Sequence, residues 1–243
     1  AGKADGAENV IRVKAALKNF KIDDDDAVYD EGITLIVVNF PNTPQKGVIN
    51  IKKTGEVYSS VQTNGEAYLP VYLVTGLAGA KFNIIAAEDI VTPDGTVRAK
   101  KGDIVDTVIT SATGEAQSKA LYLGKYRIEE TKAGYGMVLN RNVFYAELAY
   151  AGQEIKLTST SVSVQNERQK AVISLSKVME HNSIFGIGNS GEVKSVSFGL
   201  YAAKKLTAAD GSFIPTDGLL ETAYCDENGK LTFNCDIPIG AKL

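Results

Sequence analysis

The sequence predicts an all-β protein built from tandem sandwich domains. Three observations carry that reading: short β-branched and aromatic runs, regularly placed Gly/Asp turns, and an internal repeat. Val48-Ile49-Asn50-Ile51, Lys81-Phe82-Asn83-Ile84-Ile85, Lys125-Tyr126-Arg127-Ile128 and Ser161-Val162-Ser163-Val164 have the composition and two-residue period of strands. Pro93-Asp94-Gly95, Thr113-Gly114, Asp210-Gly211 and Asn228-Gly229 punctuate them as turns. The most apolar run, Ile33 to Phe40, reads as a strand and falls well short of the ~18 residues of a membrane span. Only Glu8 to Phe20 has helix-like composition, and its apolar spacing also permits a strand.

The repeat has several landmarks in one order. Phe82-Asn83-Ile84-Ile85-Ala86-Ala87 leads to Asp94-Gly95 over the same interval that separates Phe198-Gly199-Leu200-Tyr201-Ala202-Ala203 from Asp210-Gly211. Gly114 precedes Leu121-Tyr122-Leu123-Gly124 as Gly229 precedes Ile237-Pro238-Ile239-Gly240. Upstream, Gly47-Val48-Ile49-Asn50-Ile51-Lys52-Lys53 parallels Ala171-Val172-Ile173-Ser174-Leu175-Ser176-Lys177. This order marks a tandem array. It divides the chain into a complete domain at 43–166, a C-terminally truncated one at 167–243, and a segment 1–42 read as the closing strands of a preceding domain.

Composition removes several function classes. With 26 basic against 29 acidic residues there is no electrostatic footprint for nucleic acid and no polybasic face for a membrane. His181 is the single histidine, in the polar stretch Glu180-His181-Asn182-Ser183 without a metal-ligand companion, and reads as a solvated loop residue. No cofactor or metal site is expected. Asp23-Asp24-Asp25-Asp26 lacks the alternating ligands and glycine of a calcium loop. Gly186-Ile187-Gly188-Asn189-Ser190-Gly191 lacks the strand–helix context of a phosphate loop. Cys225 and Cys235 flank Asp226-Glu227-Asn228-Gly229, where a tight hairpin would set Cys225 opposite residue 230 or 232; two unpaired thiols are expected. No signal peptide opens the chain, so any targeting segment lies outside it.

Strand alternation isolates three residues. Ile49, Ile51 and Lys53 share a face, as do Tyr126, Ile128 and Glu130, and Val162, Val164 and Asn166. Each apolar face thus ends in a polar group that costs several kcal/mol to bury unpaired. Strand ends reaching water, with the lysine snorkelling, would explain this, as would a buried Lys–Glu pair with the asparagine as donor. Amide exchange is the third reading. A desolvated lysine is driven toward the neutral, nucleophilic amine, a desolvated glutamate toward a proton donor, and the asparagine offers its carbonyl. Lys53 would then attack Asn166 with Glu130 as proton shuttle, releasing ammonia once per molecule.

The ordered landmarks resemble the collagen-adhesin B-type and SpaA-like pilin domains of Gram-positive surface proteins. The opening strand carries a lysine six residues after a small residue, as in Gly47…Lys53 and Ala171…Lys177; Leu77-Ala78-Gly79-Ala80-Lys81-Phe82 follows. Gly124-Lys125-Tyr126-Arg127-Ile128-Glu129-Glu130-Thr131-Lys132-Ala133-Gly134-Tyr135-Gly136 is similar to the family's glutamate-bearing segment, with Gly134 in place of the usual proline. Asn166-Glu167-Arg168-Gln169-Lys170-Ala171 closes the domain. The resemblance implies a seven-stranded Ig-like, prealbumin-like sandwich of reversed topology in an extracellular, wall-anchored stalk. It places the family's lysine, glutamate and asparagine on Lys53, Glu130 and Asn166. Lys52 and Glu129 are the adjacent competitors, and face parity speaks against both.

In the second domain only Lys177 is present, and in the opening segment Asn42 would be the acceptor, so both are partial sites. Residues 1–42 of one molecule could complete the truncated domain of another. The expected function is structural rather than enzymatic, with neighbouring domains of the same protein as partners. The competing reading is an adhesin domain recognising a host extracellular-matrix protein or glycan.

Overall fold

The computed structural model describes residues 43–188 and 190–243, and the backbone of two further strands, β1 (Ala27–Asp30) and β2 (Ile33–Ile36). β1 and β2 pair antiparallel, Ala27 opposite Ile36. The helix-like stretch Glu8–Phe20, the acidic run Asp23–Asp26 and Asn42 lie outside the described residues.

Residues 44–243 form a compact unit of their own. Its first repeat comprises β3 (Lys46–Asn64), β4 (Ala67–Gly76), β5 (Lys81–Ala86), β6 (Ile90–Val91), β7 (Val97–Ala99), β8 (Ile104–Ile109), β9 (Glu115–Gln117), β10 (Leu121–Tyr122), β11 (Gly124–Lys132), β12 (Val143–Leu148) and β13 (Leu157–Asn166). β3 organises one sheet: it pairs antiparallel with β4, β9 and β10, and parallel with β13. The opposing sheet runs β12-β11-β5-β8. Between them lie Ile49, Ile51, Phe82, Ile84, Tyr126, Ile128, Val162 and Val164, all buried. Burying each large side chain contributes about 1.5–3 kcal/mol, so this face alternation fixes strand register.

The second repeat holds β14 (Ile173–Ser176), β15 (Ser197–Tyr201), β16 (Leu206–Thr207), β17 (Phe213–Ile214), β18 (Leu219–Tyr224) and β19 (Lys230–Phe233), with one 3₁₀ turn at Glu192–Ser195. Leu200, Ile214, Leu220, Leu231 and Phe233 form its core. The two repeats agree down to single hydrogen bonds. β14 pairs with β19 as β3 pairs with β9. β15 pairs with β18 as β5 pairs with β8, and both pairs shift register at the same point, after Ile84 and after Leu200. Lys53 N–H donates to Gly114 O at 2.7 Å, and Lys177 N–H donates to Gly229 O at 2.7 Å. Both glycines have positive φ, and a Cβ on either would come within 2.2 Å or less of the lysine carbonyl oxygen, so no other residue fits this approach.

Two features depart from the expected layout. Asp226-Gly229 does form a turn, closed by Lys230 O accepting from Asp226 N–H, but it makes no hairpin, because β18 pairs with β15 and β19 with β14. The turn carries the chain from one sheet to the other, as Thr113-Gly114 does between β8 and β9. Cys225 and Cys235 are both free thiols. The second departure is the length of β3, 19 residues, which with β4 makes a hairpin longer than the core beneath it. Its tip leaves the first core, and Val61 and Tyr68 pack on the second.

Candidate functional site

The site is built by three strands from two sheets. β3 and β13 lie side by side with Lys53 opposite Val164 and Asn166 opposite Gly55. β11 belongs to the opposing sheet, and a register shift just after Glu130 ends its regular pairing with β5. Alternation turns all three terminal polar residues inward: Lys53 is 0 % exposed, Asn166 2 % and Glu130 6 %. The neighbouring Lys52 is exposed and Glu129 pairs with Arg127 on the outer face, so both adjacent competitors point away.

The three side chains meet. Lys53 Nζ lies 3.7 Å from Glu130 Oε1 and donates to Val164 O at 3.3 Å. Asn166 Nδ2 donates to both Glu130 oxygens at 2.9 Å. Asn140 N–H donates to Glu130 Oε2 at 2.7 Å, and Asn140 Nδ2 donates to Gln165 O at 3.0 Å, tying the β11–β12 loop to β13. Asn166 Oδ1 is buried with no hydrogen-bond partner. An unsatisfied buried carbonyl costs about 1–3 kcal/mol, a penalty that a proton donated to this oxygen would remove. Burial holds the Lys53 ammonium below its ordinary pKa of 10.5, and the Glu130 charge and hydrogen bond only partly oppose this. Burial therefore biases this lysine toward the free amine.

Among the described residues, no group of three or more His, Cys, Asp or Glu side chains could hold a metal ion. Lys177, equivalent to Lys53 by repeat and by backbone hydrogen bond, is exposed. His181 is exposed in its loop.

Sequence alternation did not single out Asn140, because it contacts Glu130 through its backbone from a loop without period. Arg168 was likewise seen only as part of a motif. It is buried, faces the ring of Tyr72 at 3.7 Å, and pairs with Asp236 and Glu56, so it joins the link between the repeats to both of them.

Residues 74–163 match the family described as SpaA: Prealbumin-like fold domain. No curated protein sequence matches the chain. Among solved structures, the Bacillus anthracis TIE protein is similar at 20 % identity and a TM-score of 0.48, over 88 % of this chain and 33 % of that one. The major pilin SpaD from Corynebacterium diphtheriae is similar at 19 % identity and 0.35, over 54 % of this chain and 32 % of that one. The shaft pilin SpaA from Lactobacillus rhamnosus GG is similar at 14 % identity and 0.35, over 81 % and 86 %. The chain thus spans about a third of the first two. Residues 74–163 thus match a SpaA prealbumin-like fold domain, and the two-sheet strand arrangement agrees with that fold.

Proposed function

We propose that the chain is a structural segment of a Gram-positive surface stalk, in which an intramolecular isopeptide bond between Lys53 and Asn166, assisted by Glu130, ties the first strand of the first repeat to its last. The boundaries at 43–166 and 167–243 are part of this reading. So is an extracellular, wall-anchored location reached through other segments of the parent protein. The single observation that carries it is the meeting of a buried lysine, glutamate and asparagine in an apolar core, each at the end of an apolar strand face.

The chemistry balances without a cofactor. Rotation of the Asn166 amide brings Oδ1 to protonated Glu130, which polarises the carbonyl. The neutral Lys53 Nζ attacks Asn166 Cγ, and its proton passes through the Glu130 carboxyl group to Nδ2. The Cγ–Nδ2 bond breaks, ammonia leaves, and Nζ–Cγ remains as an amide. Fixed geometry and exclusion of water supply the rate.

Intact-mass spectrometry of the folded chain tests this. The expected mass is lower than the sequence mass by one ammonia, and Lys53→Ala and Asn166→Ala restore the full mass. Glu130→Ala blocks or slows the loss. A folded, matured chain at full mass would sink the cross-link and leave the structural reading standing.

A further inference from the structure

The apolar cover of the reactive site comes from outside the three strands that carry it. Inward positions on β3 run Ile49, Ile51, Lys53 and Gly55, and Gly55 stands opposite Asn166 in the parallel ladder. Having no side chain, Gly55 leaves space on the inward face beside Lys53 and Asn166. Two neighbours occupy it: a Cβ on Gly55 would lie 2.6 Å from Leu77 Cδ1 and 3.2 Å from Met137 Sδ. Both are buried, Leu77 at 5 % exposure and Met137 at 7 %.

Leu77 is fixed to β3, since its N–H donates to Lys53 O at 3.0 Å. Met137 arrives on the β11–β12 loop, which is laced to the segment after β13. Val138 N–H donates to Glu167 O at 2.8 Å, Gln169 N–H donates to Gly136 O at 2.8 Å, and Met137 pairs with Arg168 between them. Three residues on, Asn140 N–H holds Glu130. One loop thus supplies both the clamp on the carboxylate and the thioether at Gly55.

A cover matters here because the space beneath it is polar. Asn166 Oδ1 lacks a hydrogen-bond partner, and Lys53 and Glu130 are close by. Water enters a buried space where several polar groups can bind it and stays out of an apolar one. Inside this site, water would solvate Lys53 and favour the ammonium, which cannot attack. It would also compete as a nucleophile. Its oxygen would attack Asn166 Cγ and one of its protons would pass through Glu130 to Nδ2; the Cγ–Nδ2 bond would break, ammonia would leave, and aspartate would remain. We propose that Met137 is the residue that decides between these outcomes: its side chain seals the site, so that Lys53 rather than water consumes the Asn166 amide. An unbranched thioether fills an irregular gap while offering water almost no hydrogen bond. The inference rests on the Lys53–Asn166 reaction proposed above.

Cell-free synthesis of the whole chain, sampled over time by intact mass and by peptide mapping of position 166, tests it. Wild type and Met137→Leu should lose one ammonia at similar rates and show no aspartate at 166. Met137→Ala should lose it roughly tenfold more slowly, the effect of one pKa unit of restored lysine solvation, and part of Asn166 should be recovered as aspartate. Met137→Gln is the second variant should Met137→Ala fail to fold. In a Lys53→Met background no amine competes; there Asn166 should persist beside Met137 and convert to aspartate beside Met137→Ala. Folded Met137→Ala and Met137→Gln chains that cross-link at the wild-type rate, with no aspartate at 166, would overturn the seal alone. A wild type that stays at full sequence mass would sink the cross-link, and the choice between nucleophiles with it.

Discussion

Lys53 sits where an ammonium is least welcome, and its ionisation links the site to pH. Its folded pKa lies below 10.5 because burial removes its solvation. In a chain held un-cross-linked by Asn166→Ala, the unfolded state therefore binds the proton more tightly than the folded state. Stability should rise as pH climbs from the lowered folded value toward 10.5, and be lost again as pH falls through that value. Denaturant melts across that range check this, and Lys53→Met should remove the slope. Asn140 acts through Glu130. Asn140→Pro deletes both the N–H that holds Oε2 and the side-chain tie to Gln165 O, so bond formation, followed as ammonia loss after refolding, should slow. The convergence of Lys53, Glu130 and Asn166 was legible because strand alternation is a local rule that sequence displays. Asn140 was not, since a backbone donor carries no residue signature.

At the level of elements, the repeat was the strongest sequence signal, and it translates into matched strand pairing. Gly114 and Gly229 show why: each sits at positive φ against a lysine carbonyl, a requirement written directly in residue type. Gly114→Val should cost at least about 1–3 kcal/mol from the backbone alone, before steric displacement is counted, and chemical denaturation measures it. The length of the β3–β4 hairpin was hidden. Residues beyond Lys53 alternate without a clean apolar face, and the hairpin residues that do pack, Val61 and Tyr68, serve the second core from a distance in sequence. Arg168 depends on the same architecture, since its partners come from β3, β4 and the segment after β19. Arg168→Ala removes a buried cation and should leave the first core intact while loosening the second. Hydrogen exchange should show faster exchange in β14–β19 and unchanged protection in β5 and β11.

At the scale of the whole chain, the proposed Lys53–Asn166 bond would join β3 to its parallel neighbour β13. These strands open and close the first repeat, so a covalent tie between them encloses nearly all of it. Closing so long a loop stabilises by roughly 5 kcal/mol in the chain-entropy treatment. Lys53→Ala and Asn166→Ala should therefore lower the Tm well beyond the effect of a typical surface change, and thermal melts of matured and un-cross-linked protein give the difference. The sandwich class was legible from composition, strand period and turns. The packing of one repeat's hairpin on the next was not, because contacts between distant segments leave no periodic trace. The most direct test of the central claim is tandem mass spectrometry of a tryptic digest of the folded chain. The bond predicts a branched peptide joining the Lys53 segment to the Asn166 segment, with no cleavage after Lys53 and fragment ions placing the link on those two residues. Recovery of both segments as separate linear peptides, with normal cleavage after Lys53, would contradict it.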